Sequence, residues 1–220
     1  MFFIRPPGVY APQGDTEALV AALARESLPV DASVLDVCSG SGALAVAAAR
    51  AGAGRVVAVD VSAAAVLTTR LNALLAGYGR RIRAYRGELL RPVAGQRFDL
   101  IMANPPYVPS PAPKLPGGGR ARAWEAGTDG RAVLDQLCAQ APSMLRPGGV
   151  LLLAHSTLCG TGPTTDQLEQ AGLDVTVTDR RMVPFGPVLL SRVDWLEAQG
   201  LITPGQDKEE LVVIRAQRPE

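Results

Sequence analysis

The chain has 220 residues, and its formal net charge is only +1 because 22 Lys and Arg residues nearly balance 21 Asp and Glu residues. This length is typical of one domain with a single core, and the near-neutral charge gives no support for a strongly basic nucleic-acid surface. Hydrophobic residues make up 47% and charged residues 20%, a composition unlike that of a disordered chain. We therefore expect one folded domain over residues 1–220.

The cysteine pattern and the apolar runs indicate the cellular compartment of the protein. Cys38, Cys138 and Cys159 lie far apart and without a paired spacing, so they predict neither a disulfide framework nor a zinc site. Residues 1–8 carry an Arg and two prolines where a signal peptide would have its apolar core. No run approaches the ~18 apolar residues of a membrane span. We expect a reducing, cytoplasmic compartment and no membrane partner.

Strand and helix patterns alternate along the chain. Strands are predicted at residues 33–37, 55–60, 81–86, 98–103, 150–154, 174–178 and 210–215. Helices are predicted at residues 17–25, 43–50, 62–75, 130–145, 167–171 and 189–199, the first with Asp15 or Thr16 as its N-cap. Strands that alternate with helices indicate an α/β fold, with a mostly parallel sheet covered by helices on both faces.

A glycine turn follows the first predicted strand. Cys38-Ser39-Gly40-Ser41-Gly42 joins that strand to an Ala-rich helix. Such a turn lets the backbone approach a ligand, and the free N–H groups at the start of the helix favour a polar or anionic partner. The spacing Gly40-x-Gly42-x-x-Ala45 also fits a dinucleotide fingerprint, so the turn alone does not choose between ligands.

Three acids near strand ends favour S-adenosylmethionine over a dinucleotide. Asp36 at the entrance of the turn would repel a pyrophosphate but attract an ammonium group. Asp60 lies near the distance at which an acid binds a ribose, and Glu88 could accept a hydrogen bond from an adenine amino group. Ammonium, ribose and adenine amine are the polar groups of S-adenosylmethionine.

The sequence Asn104-Pro105-Pro106-Tyr107 follows the fourth predicted strand. Proline gives no N–H to a sheet and disfavours helix in the preceding residue, so the strand should end there as a rigid rim. The Asn104 side-chain carbonyl and the Pro105 main-chain carbonyl could then accept both hydrogens of a planar NH2 group, with Tyr107 stacked on the group that carries it. Methyl transfer to such a nitrogen needs positioning more than a strong base.

These motifs together resemble the class I S-adenosylmethionine-dependent methyltransferases, and more narrowly the HemK-type glutamine-N5 protein methyltransferases. The residues that carry the resemblance are Asp36-Val-Cys-Ser-Gly-Ser-Gly42, Asp60, Gly87-Glu88-Leu89, Asn104-Pro-Pro-Tyr107 and Leu145-Arg-Pro-Gly-Gly149. The segment Tyr10-Ala-Pro-Gln-Gly-Asp-Thr16 is similar to the opening of the short branch, which lacks an N-terminal substrate domain. The resemblance implies a Rossmann-like seven-stranded methyltransferase fold with an antiparallel C-terminal strand.

The resemblance also implies a cofactor, a substrate and a set of site residues. Donor binding would fall to Thr16, Asp36, Cys38, Gly40, Gly42, Asp60, Val61, Glu88, Leu89 and Asn104, and catalysis to Asn104, Pro105 and Tyr107. Members of this family methylate the glutamine of the Gly-Gly-Gln motif in peptide-chain release factors, and the short branch in some organisms works with a small zinc-containing activator protein. Cys38 stands where many relatives have a glycine.

The residues themselves leave other functions open. The same Asn-Pro-Pro-Tyr geometry suits an adenine amino group in DNA or RNA, although such enzymes need a nucleic-acid surface. A small-molecule methyltransferase, a non-catalytic donor-binding subunit and a nicotinamide-dependent oxidoreductase are the further alternatives. Residues 108–119, rich in Pro and Gly, are predicted to form a mobile lid whose far end Trp124 anchors. His155, the single histidine, could face the pocket or simply end a strand.

Overall fold

A computed structural model describes residues 3–10 and 12–220, and within them it contains seven strands and seven α-helices. The strands are β1 (Ser33–Val37), β2 (Arg55–Asp60), β3 (Ile82–Arg86), β4 (Phe98–Ala103), β5 (Leu145–Ser156), β6 (Asp174–Pro184) and β7 (Lys208–Gln217). The helices are α1 (Gly14–Leu23), α2 (Ala43–Arg50), α3 (Ala63–Leu75), α4 (Leu134–Gln140), α5 (Thr161–Gln170), α6 (Pro187–Leu190) and α7 (Val193–Ala198).

All seven strands belong to one sheet, in the order β3-β2-β1-β4-β5-β7-β6. The first five strands of this order pair in parallel, and β7 pairs antiparallel with both β5 and β6. The predicted seven-stranded methyltransferase-like sheet with an antiparallel C-terminal strand is therefore confirmed. The chain runs outward from β1 through β2 to β3 and then returns to β4 on the other side of β1, so the direction of the connections reverses beside β1. A crevice forms at the carboxyl ends of the strands at such a point.

Alternate residues of each strand pack on opposite faces of the sheet. Val34 faces a layer that contains residues of α1, α2 and α3, whereas the next residue, Leu35, faces a layer that contains α4 and α5. Both residues are fully buried, which is why these strands read as continuous apolar runs in the sequence. A smaller third cluster, built on Phe185 and Leu196, packs α6 and α7 beside the sheet.

The predicted bounds of the secondary-structure elements agree best with the structure for strands near the centre of the sheet. Strands β1, β2 and β4 and helix α2 begin and end at the predicted residues. The helix predicted at 130–145 is shorter, because α4 ends at Gln140 and a 3₁₀ turn with Pro142 near its start follows. Strands β5, β6 and β7 are longer than predicted, and the helix predicted at 189–199 is divided into α6 and α7.

The predicted N-cap of the first helix is wrong. Helix α1 begins at Gly14, and its N-cap is Gln13, which makes no side-chain cap hydrogen bond. Asp15 lies inside the first turn, and its carboxylate is occupied by tyrosine hydroxyls. Across residues 3–10 and 12–220, none of the helices has both the length and the apolar character needed to cross a membrane.

Candidate active site

A cavity of about 670 Å³ opens at the carboxyl ends of strands β1 to β4. The strand registers bring these ends level, since Val37 is paired with both Val59 and Ala103. The segments that follow the strands therefore meet at one edge of the sheet. Of the predicted site residues, nine line the cavity: Cys38, Gly40, Asp60, Val61, Glu88, Leu89, Asn104, Pro105 and Tyr107.

The glycine turn after β1 forms one wall of the cavity. Gly40 has a positive φ of 52°, and Cys38 has a positive φ of 59° in a region that favours glycine. Asp60 holds the turn from β2, because its Oδ2 accepts the Gly40 N–H at 2.9 Å and its Oδ1 accepts the Ser62 N–H at 2.8 Å. Burial raises the pKa of Asp60, against the lowering effect of these N–H donors. Each carboxylate oxygen keeps a second lone pair, so Asp60 can still accept ribose hydroxyls.

Three of the predicted donor-binding residues do not line the cavity. Thr16 and Gly42 lie outside the lining, and a Cβ at Gly42 would come within 2.8 Å of Thr69 Cγ2. Asp36 is fully buried behind the turn, where its Oδ2 accepts the Ala45 N–H at 2.9 Å and thus holds the start of α2. Burial raises the pKa of Asp36 to about 8. Its Oδ1 is buried without a partner among the described residues, and the contact of Asp36 with an ammonium group stays a prediction.

The segment after β3 supplies the most exposed wall. Glu88 lines the cavity and forms an ion pair with Arg91 at 3.1 Å on the protein surface. Leu89 has a positive φ of 47°, and Val61 lines the cavity next to Asp60. The acidic side chain of Glu88 and the apolar side chains of Leu89 and Val61 thus surround a part of the cavity that could accommodate a flat ring with an amino group.

The Asn-Pro-Pro-Tyr segment forms the opposite wall. Asn104 Oδ1 is buried and has no hydrogen-bond partner among the described residues. A buried carbonyl oxygen without a partner is costly, and such an atom at the edge of a cavity marks a place where a ligand N–H can bind. Pro105 and Tyr107 line the same cavity. The role of Asn104 Oδ1 as the acceptor of a substrate N–H stays a prediction.

The backbone of Tyr107 is fixed from two sides. Its carbonyl oxygen accepts the Cys159 thiol at 2.9 Å, and the next residue, Val108, donates its N–H to the Trp124 carbonyl at 2.7 Å. Gly130 packs directly beneath, since a Cβ there would lie 2.4 Å from the Tyr107 oxygen. The rim is therefore held by tertiary contacts as well as by its two prolines.

The segment predicted as a lid does extend over the cavity. Leu115 and Gly117 line it, and the base of the segment is tied by the Val108–Glu125 bridge. Arg192 reinforces this base through an ion pair with Glu125 and a 2.8 Å hydrogen bond to the Pro109 carbonyl. Mobility of the lid stays a prediction.

Tyr10, Asp15 and Glu209 also line the cavity, although the sequence predicted no site role for them. Tyr10 and Asp15 were noted as part of the opening motif, and Asp15 also as a helix cap, whereas Glu209 lies near the start of the last strand, where no motif indicated it. Burial raises the pKa of Glu209, and its Oε2 has no partner within the described part of the chain. His155 is fully buried in β5 and does not line the cavity, and burial lowers its pKa to about 4.

Sequence comparison matches this geometry to a known family. The chain is 32% identical over 184 residues to a candidate protein N5-glutamine methyltransferase of Methanocaldococcus jannaschii, covering 84% of this chain and 90% of the relative. The chain belongs to the protein glutamine methyltransferase family. The matched region spans most of the chain.

Bacterial members of the protein glutamine methyltransferase family are longer. The release factor glutamine methyltransferase of Gloeobacter violaceus is 38% identical over 169 residues, which cover 74% of this chain and 58% of the relative. The one of Mycobacterium tuberculosis is 32% identical over 201 residues, which cover 86% of this chain and 64% of the relative. The chain thus spans less than two thirds of these two enzymes but nearly all of the archaeal one.

A family model matches part of the chain, and solved structures share its fold. The model for ribosomal protein L11 methyltransferase matches residues 15–105. The fold is similar to a ribosomal protein L11 methylase of Lactobacillus delbrueckii, with a TM-score of 0.60 and 20% identity over 94% of this chain and 79% of that one. A precorrin 8w decarboxylase of Methanobacterium thermoautotrophicum gives a TM-score of 0.65 at 18% identity, over 97% and 96%. Protein glutamine methyltransferases are S-adenosylmethionine-dependent enzymes, and the chain is one of this class.

Proposed function

We propose that the protein transfers a methyl group from S-adenosylmethionine to the side-chain amide nitrogen of a glutamine in a protein, a peptide-chain release factor being the foremost candidate. The observation that carries this proposal is Asn104 Oδ1, which is buried without a partner among residues 3–10 and 12–220 and belongs to a residue that lines the same cavity as Pro105 and Asp60. The sequence matches to release factor glutamine methyltransferases support the choice of a glutamine amide.

The residues of the first wall fit the cofactor. Gly40, with its positive φ, lines the cavity beside Asp60, and a Cβ at this glycine would contact Tyr10 at 3.5 Å. Asp60 would hold the ribose and Glu88 the adenine amine, with Cys38, Val61 and Leu89 around them. When bound, S-adenosylmethionine supplies a methyl group that its sulfonium already activates. Thr16, Asp36 and Gly42 would act indirectly, by shaping the turn and the helix starts around it.

The second wall orients the acceptor. Asn104 Oδ1 and the Pro105 carbonyl would each accept one hydrogen of the amide NH2, which fixes the plane of the amide. The same two dipoles face positive charge as it develops on the nitrogen, so they stabilise the transition state more than the ground state. Tyr107 would stack on the amide plane. Positioning by groups that are already fixed accounts for catalysis without a strong base.

A methyl-transfer panel tests the proposal. The protein is incubated with S-adenosylmethionine labelled in its methyl group and with a release factor, DNA, RNA or small amines in separate reactions. The expected result is label in the release factor, and no label when the glutamine of its Gly-Gly-Gln motif is changed to alanine. Label in adenine bases or in a small amine, with none in the release factor, would overturn the glutamine assignment.

The donor site is tested separately by calorimetry. Asp60→Ala removes the carboxylate that holds Gly40 and would bind the ribose, so the Kd for S-adenosylmethionine should rise about tenfold or more. Asp166→Ala, at an exposed position of α5 outside the cavity, is the matched control and should bind as the wild type does. An unchanged Kd in the Asp60 variant would remove this residue from the ribose role.

An activator protein and a cytoplasmic location stay predictions. The first rests on the resemblance to the short branch, and the second rests on the cysteine pattern. Co-purification of a small zinc protein with the tagged chain from its own organism would support the activator.

A further inference from the structure

One buried carboxylate oxygen joins the two walls of the cavity. Asp15 Oδ2 accepts the Tyr10 hydroxyl at 2.5 Å and the Tyr107 hydroxyl at 3.1 Å. Asp15 is only 3% exposed, so both hydrogen bonds are shielded from water. Hydrogen bonds to a charged acceptor in such surroundings are stronger than neutral ones.

The two tyrosines serve different parts of the cavity. Tyr107 ends the Asn-Pro-Pro-Tyr rim, at the acceptor wall. Tyr10 belongs to the segment before α1 and packs on Gly40, since a Cβ there would lie 3.5 Å from Tyr10 Cβ. Both tyrosines line the cavity. The shared oxygen of Asp15 therefore connects Tyr10, which packs on the donor turn, to Tyr107, which belongs to the acceptor wall.

Asp15 is already saturated by these contacts. Its Oδ1 accepts the Thr16 hydroxyl at 3.2 Å, and the Thr16 N–H lies 2.5 Å away. A carboxylate that accepts this many hydrogen bonds is a poor candidate for a proton acceptor or a ligand for substrate. Burial, together with the nearby Asp15 charge, raises the pKa of both tyrosines, so both hydroxyls keep the proton that they donate.

We propose that Asp15 is a positioning residue, which fixes Tyr10 over the donor turn and Tyr107 beside the acceptor as one unit. The roles of the two walls rest on the proposed function. Because the two hydroxyls share one oxygen, a ligand that holds one tyrosine in place also strengthens the position of the other, so donor and acceptor favour each other's binding, and this coupling is reciprocal.

Phenylalanine variants of the two tyrosines test the coupling. S-adenosylmethionine binding is measured by calorimetry in the wild type, Tyr10→Phe, Tyr107→Phe and the double variant. We expect Tyr107→Phe to weaken donor binding several-fold although Tyr107 belongs to the other wall, and the two effects to be non-additive by at least threefold. Tyr85→Phe, on the exposed face of β3, is the matched control and should change nothing. Additive effects, or no effect of Tyr107→Phe, would overturn the proposal.

Asp15→Asn tests the centre of the network. This change keeps the shape of the side chain but removes the charge that both hydroxyls share. With a methyl acceptor, kcat/KM should fall roughly 10- to 100-fold, with a higher KM for the acceptor and a higher Kd for the donor. In the Asp15→Asn background the Tyr10 and Tyr107 changes should become additive. Asp166→Asn is the matched control, and wild-type kinetics and donor affinity in Asp15→Asn would contradict the positioning role.

The two proposals fail in different ways. If no acceptor in the methyl-transfer panel is labelled, the proposed function fails, but the calorimetric cycle still decides whether Asp15 couples the tyrosines. If Asp15→Asn does not fold, the cycle of the two phenylalanine variants in the wild-type background decides alone. Transfer to a release factor with strictly additive tyrosine effects would keep the proposed function and reject the coupling.

Discussion

Replacing Asn104 with alanine should abolish most of the methyl transfer while donor binding survives in weakened form. The change removes the buried Oδ1 that has no partner in the described part of the protein, together with the dipole that faces the acceptor nitrogen. The rim itself should persist, because the Tyr107 carbonyl still accepts the Cys159 thiol and Val108 still donates to Trp124. The effect is therefore expected mainly on the transition state.

The magnitude follows from the kind of interaction lost. One fixed dipole aimed at developing charge contributes about 2.7–4 kcal/mol, which corresponds to a 10²–10³-fold loss in kcat. In the enzyme without substrate, Asn104 Oδ1 is buried without a hydrogen bond, which costs free energy. Removing this oxygen also removes that cost, so the substitution should not destabilise the folded protein by more than about 1 kcal/mol. The variant should thus unfold close to the wild-type temperature.

The assay measures labelled methyl transfer to the release factor under saturating donor, with calorimetry for the donor Kd. Asn104→Asp serves as the matched variant, because it keeps an acceptor oxygen in a side chain of nearly the same shape and replaces the NH2 group with a second oxygen. It should retain more activity than Asn104→Ala, since a carboxylate can also accept from the amide. A kcat within threefold of the wild type in Asn104→Ala would refute the reasoning, and so would a loss fully explained by donor affinity.

Three further changes probe the surroundings of the cavity. Gly130→Ala should lower kcat at least tenfold, because its Cβ would displace the Tyr107 carbonyl, whereas Gly162→Ala, with open space around it, should leave kcat unchanged. Cys38→Gly should keep donor affinity in calorimetry, while Cys38→Val should lose it, because a β-branched residue tolerates a φ of 59° poorly; equal affinities would contradict this. Burial raises the pKa of Asp36 from 3.8 to about 8, so its stabilising contribution is full below about pH 4 and is lost as the pH rises through 8. Asp36→Asn should therefore gain stability relative to the wild type between pH 5 and pH 8, by up to about 4 kcal/mol in denaturant unfolding, and a constant difference would exclude burial as the cause.

Local sequence determined the frame of this protein. Buried parallel strands need residues that are apolar on both faces, so β1, β2 and β4 stand out as short apolar runs bounded by turn residues. Proline restricts the backbone and glycine frees it, and both act within one or two residues. The end of the fourth strand at Asn104-Pro105-Pro106-Tyr107 and the glycine turn after the first strand could therefore be predicted from the local sequence.

Tertiary structure decided which side chains face the cavity. Asp36 reads as a ligand for an ammonium group, but the register places it under the turn, where it binds Ala45. Asp15 reads as a helix cap, yet it binds Tyr107, which is 92 positions away along the chain. Glu209 reaches the cavity only because β7 inserts antiparallel between β5 and β6. Such partners are chosen by the packing of distant segments, and no local pattern of residues carries that information.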